Sequence, residues 1–512
     1  MKRPLPAGVW QALQASGWLP SETQLSPPRV GWGEDLLPWI VRGWQPENGP
    51  LAGPASVALP AWLGRLKSQP AQLSWGIAGT AALRWQQWLG GRLMWWPLGV
   101  PRGTRVGIVS SRLGRRWDER KPWFHALRAA CKQIDPQDDV LLTATATSTE
   151  KILARAASLF RLRLIVLSTD GEDDTPERWL AHLRQMRRMT SPEGAFPAWL
   201  SPRFDVPEGS ASPVSDRDGI PNRDRAVVAM SERLLALFLK RGGNLHRLIR
   251  MRLDESKNRI QIATGRELTP PALADEILAG GARRWSPPER LVAARTERTP
   301  TSHESAAPIV TLAAMPDGAF LAHWTRACPG PWPDEPMESY LDQLILDADR
   351  VDRSAEAALR RMVQQQRIVA TARTIRGGTP MVSFTAVPLA EYPEMRVFRP
   401  HRGRWDFEPY GICVRQSWIQ VRGGRPVYYG DKMAWDPLPE SDRPFFQLRR
   451  SEISGDKRAI DWSLEREWRL AGDVDLTDLG AEDGVLFVPR QAEAERLASM
   501  SRWPVVVLAP GD

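Results

Sequence analysis

Between Thr104 and Leu167 the chain alternates short apolar runs with amphipathic stretches, and this alternation is what most restricts its fold. Val106-Gly-Ile-Val-Ser110, Val140-Leu-Leu-Thr-Ala144 and Leu164-Ile-Val-Leu167 each read as a buried strand. Pro122–Ile134 and Ile152–Phe160 lie between them with helical spacing; Ile152, Ala156 and Leu159 share one face. Strand, helix, strand, helix, strand predicts a parallel sheet with right-handed crossovers, an α/β doubly wound architecture. Ligands of such sheets bind beyond the carboxyl ends of the strands. Ser110, Ser111, Arg112 and the Thr/Ser cluster at 143–149 fall at those ends, where hydroxyls and helix N-termini can hold phosphate.

The remaining chain frames this core. Residues 1–100, rich in Pro, Trp and Gly, read as an α-rich lead-in, with Ala81–Trp96 as one amphipathic helix. Residues 190–222 carry Ser-Ala-Ser-Pro and Asp-Arg-Asp-Gly and read as a loop. A helix from Pro221 to Ser231, a strand at Leu234–Leu239, the turn Arg241-Gly-Gly-Asn244 opening a second helix, and a strand at Arg259–Ala263 continue the sheet to about residue 285. Residues 286–308 are polar with prolines at both ends, and the main domain boundary is expected there. From 309 to 512 the helices come early and the strands late, which predicts a separate α+β domain.

The charge balance restricts partners without naming one. With 69 Lys and Arg against 60 Asp and Glu the net charge is +9, which suits contact with nucleic acid or nucleotide phosphates. The 24 tryptophans read mainly as core and rim, and some suit base stacking. Cys131, Cys328 and Cys413 are scattered, with neither metal-ligand spacing nor a disulfide framework, so no metal is expected. The apolar stretch 81–100 is interrupted by Arg84, Gln86, Gln87 and Arg92, and Pro4 and Pro6 follow Met1-Lys2-Arg3. No membrane span and no secretory signal are expected, and the cytoplasm is the expected location.

The order Val-Gly-Ile-Val-Ser-Ser-Arg112, a Thr-rich turn after Asp139-Val-Leu-Leu, and Asn222-Arg-Asp-Arg through Arg241-Gly-Gly-Asn244 resembles the SLOG superfamily. These are Rossmann-like nucleotide-binding domains that include the DNA-processing protein DprA and the lonely-guy phosphoribohydrolases. The resemblance covers residues 104–265. It implies that Ser110, Ser111 and Arg112 form the first-strand turn and Thr145 and Thr147 the second. Asn222, Arg223, Arg241, Gly242 and Gly243 would form the later loops, together holding a nucleotide-derived ligand. Glycine is missing from the second turn, and the glutamate pair of the phosphoribohydrolases is missing too. A binding or sensing domain is therefore implied rather than a hydrolase.

In the C-terminal region Glu465-Arg-Glu467 places two carboxylates two residues apart. In a strand they would share a face and suit a reaction that develops positive charge, such as glycosidic cleavage; alternatively they form a solvated charged face. His323-Trp-Thr325 and Ser383-Phe-Thr385 precede them, each on a strand, and a lone histidine, Ser/Thr pair or Tyr-Tyr can equally be structural. The ordered set, with Tyr410-Gly, Val427-Tyr-Tyr and Lys457 … Trp462 … Glu465-Arg-Glu-Trp-Arg469, resembles the ADP-ribosyltransferase fold and a bacterial family related to it. That resemblance implies an NAD pocket. In it Glu467 would stabilise the ribosyl cation, Glu465 would position the acceptor and His323 would bond the ribose. Thr325, Ser383 and Thr385 would brace the pocket, and Tyr410 or Tyr428 would stack on nicotinamide. Arg396, Arg399, His401, Arg402 and Arg404 surround Trp405 and either bind phosphate or pair with Asp406 and Glu408.

These readings together imply a bacterial defence-type protein. In it a SLOG-like sensor of nucleotide or nucleic acid controls an NAD-dependent ADP-ribosyltransferase-like or NAD-cleaving domain. Two alternatives remain open: a non-catalytic nucleic-acid-binding factor of the DprA type, and a scaffold subunit whose Trp-rich surfaces bind protein partners.

Overall fold

The structure is a computed structural model. It describes all residues except 1, 21–25, 45–58, 170–174, 187–190, 192, 205–218, 256–258, 266, 288–305, 316–318, 373–374, 400–403, 452–459 and 509–512. Most of the predicted linker and Lys457 therefore lie outside the described residues, as do His401 and Arg402. The chain divides into two compact units, Met1–Arg290 with Leu341–Arg350, and Leu291–Tyr340 with Val351–Asp512.

The first unit is α/β, built on a nine-stranded, mostly parallel sheet. Its strands are Gln72–Trp75 (β1), Leu93–Trp96 (β2), Thr104–Ser110 (β3), Asp139–Ala144 (β4), Leu164–Ser168 (β5), Ala195–Leu200 (β6), Arg233–Phe238 (β7), Ile260–Ala263 (β8) and Arg283–Trp285 (β9). Their spatial order is β9-β8-β7-β3-β4-β5-β6-β2-β1. β3 to β9 run parallel, and β2 and β1 add antiparallel at one edge. β3 is the central strand, from which later strands are added first to one side and then to the other. The direction of addition reverses between β3 and β7, which opens a crevice at their carboxyl ends.

The lead-in departs from expectation. Ala81–Trp96 is not one helix: Ala82–Leu89 (α1) ends at Gly90, which has φ 72°, and the chain returns as β2. The Gly90-Gly91 pair supplies the backbone freedom for that break. Residues 72–96 thus belong to the same sheet as the core, and Trp85, Trp88 and Trp96 join its apolar cluster.

Helices Lys121–Lys132 (α2), Glu150–Leu159 (α3), Pro176–Gln185 (α4), Asn222–Met230 (α5), Asn244–Glu255 (α6) and Pro271–Ala279 (α7) belong to the same unit. α5 is buried along most of its length, so its final carbonyls cannot reach water. Three arginines satisfy them. Arg252 donates to Val228 O at 2.7 Å and to Glu232 O at 3.2 Å. Arg84 donates to Ala229 O and Ser231 O, and Arg105 donates to Met230 O. Cations at a helix C-terminus also oppose its negative dipole end. α5 runs so close to β3 that a Cβ on Gly107 would sit 2.1 Å from Ser231 Oγ, and only glycine fits there.

The second unit carries a mixed, mostly antiparallel eight-stranded sheet. Its strands are Ile309–Val310 (β10), Phe320–Trp324 (β11), Met381–Thr385 (β12), Gly411–Arg415 (β13), Arg425–Pro426 (β14), Glu467–Ala471 (β15), Gly484–Val488 (β16) and Val505–Val507 (β17). The order is β10-β17-β16-β13-β11-β12-β15-β14. Ala355–Gln365 (α8) and Gln491–Ala498 (α10, after Gln416–Val421, α9) cover one face, where Leu321, Leu359, Val382, Ile412 and Leu486 share a core. The other face buries Trp324 against Tyr392, Phe407 and Phe487.

Candidate functional site

The second unit contains a cleft of about 790 Å³, within the range of nucleotide and cofactor pockets. It opens beside the weakest pairing of the sheet. Among the described residues β11 and β12 are registered at a single pair, Ala322 with Thr385, whereas β12 and β15 are registered over five. His323, Thr325, Ser383, Thr385, Glu465 and Glu467 all line this cleft, drawn from stretches up to 144 residues apart in sequence. Ala358, Arg361, Met362 and Gln365, on one face of α8, form another wall.

Register explains how the Ser/Thr strand meets the carboxylates. Thr385 lies opposite Glu467 and Ser383 opposite Arg469, so the four side chains fall on one face of β12 and β15. The two glutamates, however, are not on one strand. Trp462–Glu465 forms a 3₁₀ turn, Arg466 takes φ 44°, and β15 starts only at Glu467. The alternation expected for Glu465 and Glu467 therefore does not hold. They reach one cleft because the turn folds back, held where Thr385 Oγ1 donates to Glu465 O at 2.5 Å.

Glu467 is fixed from two sides. Its backbone N–H donates to Tyr429 Oη at 2.8 Å, and its carboxylate takes a two-point bond from Arg469, Nε to Oε1 at 2.9 Å and Nη2 to Oε2 at 3.0 Å. Arg469 is 2% exposed, and its remaining N–H groups donate to Pro444 O, Phe446 O and Gln447 Oε1. A carboxylate offers about four acceptor positions, so two remain for a ligand. Sequence reasoning gave Arg469 no role. An arginine two residues along the same strand as a glutamate was the available signal, since it must share that face.

His323 Nδ1 donates to the Ser383 carbonyl at 2.9 Å, crossing the gap between β11 and β12. Burial foremost, with the nearby Arg326 charge, pushes its pKa down to about 4, and the bond to Ser383 only partly opposes this. The ring is therefore neutral near pH 7, and with Nδ1–H committed, Nε2 is left as an acceptor. A protonation site lower in the folded than in the unfolded chain binds fewer protons when folded. Stability from His323 is thus complete above the unfolded value of about 6.5 and is lost as pH falls towards 4. The loss across that window is expected to be on the order of 3 kcal/mol. Denaturant unfolding of wild type and His323→Asn between pH 4 and 7 checks it; equal slopes in the two proteins would refute it.

Thr325 is 6% exposed and its hydroxyl donates to Ala355 O at 2.9 Å, so it ties the end of β11 to the start of α8. Ser383 Oγ has no hydrogen-bond partner among the described residues and faces the cleft. Two expected residues fall outside it. Tyr410 packs against the core and its hydroxyl donates to Glu493 Oε1 at 3.1 Å, while Tyr428 is 55% exposed in a separate short strand pair with Phe446–Leu448. The Val-Tyr-Tyr motif instead contributes Tyr429, through Glu467 N. Glu408, expected to pair with the basic run, accepts from Ala327 N at 3.0 Å, and Asp406 is buried.

In the first unit the turn after β3 and the loop after β7, where several residues expected to hold a ligand fall, meet at the crevice between those strands. Ser111 N–H donates to Phe238 O and Ser111 Oγ accepts from Lys240 N, joining the first turn to the later loop. Arg112 and Arg223 act electrostatically on Asp224 at the start of α5; burial is the larger influence and raises Asp224. Asn222 opens the same helix.

Several of these groups are already occupied by the protein itself. Ser110 Oγ accepts from Trp123 Nε1, and Thr147 donates to Ala144 O. Arg241 pairs with Glu276 at 2.7 Å, and the Gly242 N–H donates to His246 Nδ1 while Gly243 N–H donates to Lys240 O. Thr145 N–H donates to Leu167 O, and the Ala146 N–H that a glycine-rich cradle would offer to phosphate is taken by Glu150 Oε2 at 2.7 Å.

Among the described residues no helix is long and apolar enough to cross a membrane, and no group of three or more His, Cys, Asp or Glu is placed to hold a metal ion. No protein-family model and no curated protein matches the chain. Among solved structures it is similar to DNA processing protein A (DprA) from Streptococcus pneumoniae, at 14% identity over 49% of this chain and 84% of that one, with a TM-score of 0.26.

Proposed function

We propose that the cleft of the second unit binds an NAD-type dinucleotide and cleaves its nicotinamide–ribose bond. The observation that carries this reading is that His323, Ser383, Glu465 and Glu467 line one cleft. In the reaction the N-glycosidic bond breaks and nicotinamide leaves with its electron pair. The ribose C1′ gains oxocarbenium character and is captured by water or another acceptor, which loses a proton. Glu467, fixed by Arg469, sits as the negative charge that stabilises the ribosyl cation. Glu465 accepts the proton of the attacking group. Neutral His323 accepts a hydrogen bond from a ribose hydroxyl, and Ser383 offers a free hydroxyl to the same sugar.

The first unit, in this reading, holds a nucleotide-derived or nucleic-acid signal at the β3–β7 crevice through Arg112 and Arg223, and so controls the second in a defence-type response. The test is nicotinamide release from NAD by the full chain, alone and with mono- and oligonucleotides. No release, together with no binding of ADP-ribose, would sink the reading. Tight, salt-sensitive binding of single-stranded nucleic acid without NAD turnover would favour a non-catalytic DNA-processing role instead.

A further inference from the structure

Four arginines line the cleft, and three are committed to acids. Arg361 pairs with Asp334 at 2.8 Å, Arg367 with Asp473, and Arg469 with Glu467 at 2.9 Å. The fourth, Arg326, is exposed and makes no hydrogen bond or ion pair among the described residues. Its backbone neighbours are pinned. Thr325 N–H donates to Tyr410 O at 2.9 Å, Ala327 N–H to Glu408 Oε1 at 3.0 Å, and Cys328 N–H to Arg353 O at 2.8 Å. A pinned backbone thus holds a side chain that none of the described residues hydrogen-bonds or pairs.

The cleft wall also carries Asp334, Glu335 and Glu467, which are paired with Arg361, Arg353 and Arg469, together with Asp406 and Glu465, so its other cations bring no net positive charge. A ligand with negative charge would be repelled there unless a cation not already neutralised met it. We propose that Arg326 is the binding residue for the diphosphate of the dinucleotide, a role that rests on the NAD reading above. Its planar guanidinium presents two parallel N–H groups to two phosphate oxygens, a fork geometry that a lysine ammonium does not provide. The same chemistry could take a phosphate of single-stranded nucleic acid; the ligand assigned here is the dinucleotide, because the adjoining residues are those suited to a glycosidic bond.

Calorimetric titration of the full chain with ADP-ribose and with a single-stranded oligonucleotide tests this, as does nicotinamide release from NAD and from nicotinamide riboside, which has the scissile bond but no phosphate. Arg326→Ala is expected to weaken ADP-ribose binding and raise KM for NAD by about 10–100-fold, while turnover of nicotinamide riboside stays as in wild type. Arg326→Lys is expected to recover part of the loss. If wild type binds ADP-ribose and Arg326→Ala binds it equally well, the assignment is wrong while the NAD reading stands. Weakened oligonucleotide binding with unchanged ADP-ribose binding would also overturn it. If wild type neither binds ADP-ribose nor cleaves NAD, the NAD reading falls and the assignment falls with it.

Discussion

Glu467→Gln is expected to lower nicotinamide release from NAD by about 10²–10³-fold, the usual cost of removing one preorganised charge from a developing transition state. The amide keeps the shape of the carboxylate and can accept one bond from Arg469, but its NH2 faces the second Arg469 donor and the buried cation loses its counter-charge, so some loss of stability accompanies the loss of activity. What is lost is the negative charge that the proposed reaction sets against the ribose. Release should be measured at saturating NAD alongside the thermal transition. A variant that folds and turns over NAD at the wild-type rate would remove Glu467 from the chemistry. Both substitutions remove the counter-charge of the buried Arg469, but glutamine keeps a hydrogen-bond acceptor on it and fills the same volume, so it disturbs the fold less than alanine.

Arg469→Ala should destabilise the second unit by about 3–5 kcal/mol. Arg469 is almost wholly buried, and it places donors on Glu467, Gln447 and the carbonyls of Pro444 and Phe446. Removing it strands a carboxylate and two carbonyls, each at a cost of about 1–3 kcal/mol, more for the charged group. Arg469→Lys should rescue only a fraction, since one ammonium cannot span the carboxylate and the Pro444–Phe446 turn together. Denaturant unfolding, read with hydrogen exchange along β12 and β15, measures this. A loss below about 1 kcal/mol would mean that the network contributes far less than its geometry implies.

The fold of the first unit was legible because a buried parallel strand leaves a local trace: a short apolar run bounded by turns. Val106–Ser110, Val140–Ala144 and Leu164–Leu167 all fall within observed strands. The edge of the same sheet was not legible. Leu93–Trp96 continues the apolar spacing of the helix before it, and only the freedom of Gly90 turns the chain into β2. The second turn, which has no glycine, is closed from within: the Ala146 N–H donates to Glu150 Oε2.

In the second unit the sequence by itself determined which chemistry-bearing residues exist and in what order: His323, Ser383, Thr385, Glu465 and Glu467. It could not place them together, because convergence depends on strand register and on a single-pair junction between β11 and β12. Only the tertiary structure decided that Glu465 belongs to a turn and Glu467 to a strand, and that Tyr429 rather than Tyr410 or Tyr428 touches this site. It also decided that one arginine locks the carboxylate while another, on the cleft wall, pairs with none of the described residues. The reason is physical. A strand's periodicity is written in neighbouring residues, but which acid neutralises which arginine depends on distance and burial, and these are set by pairings between residues far apart in the chain.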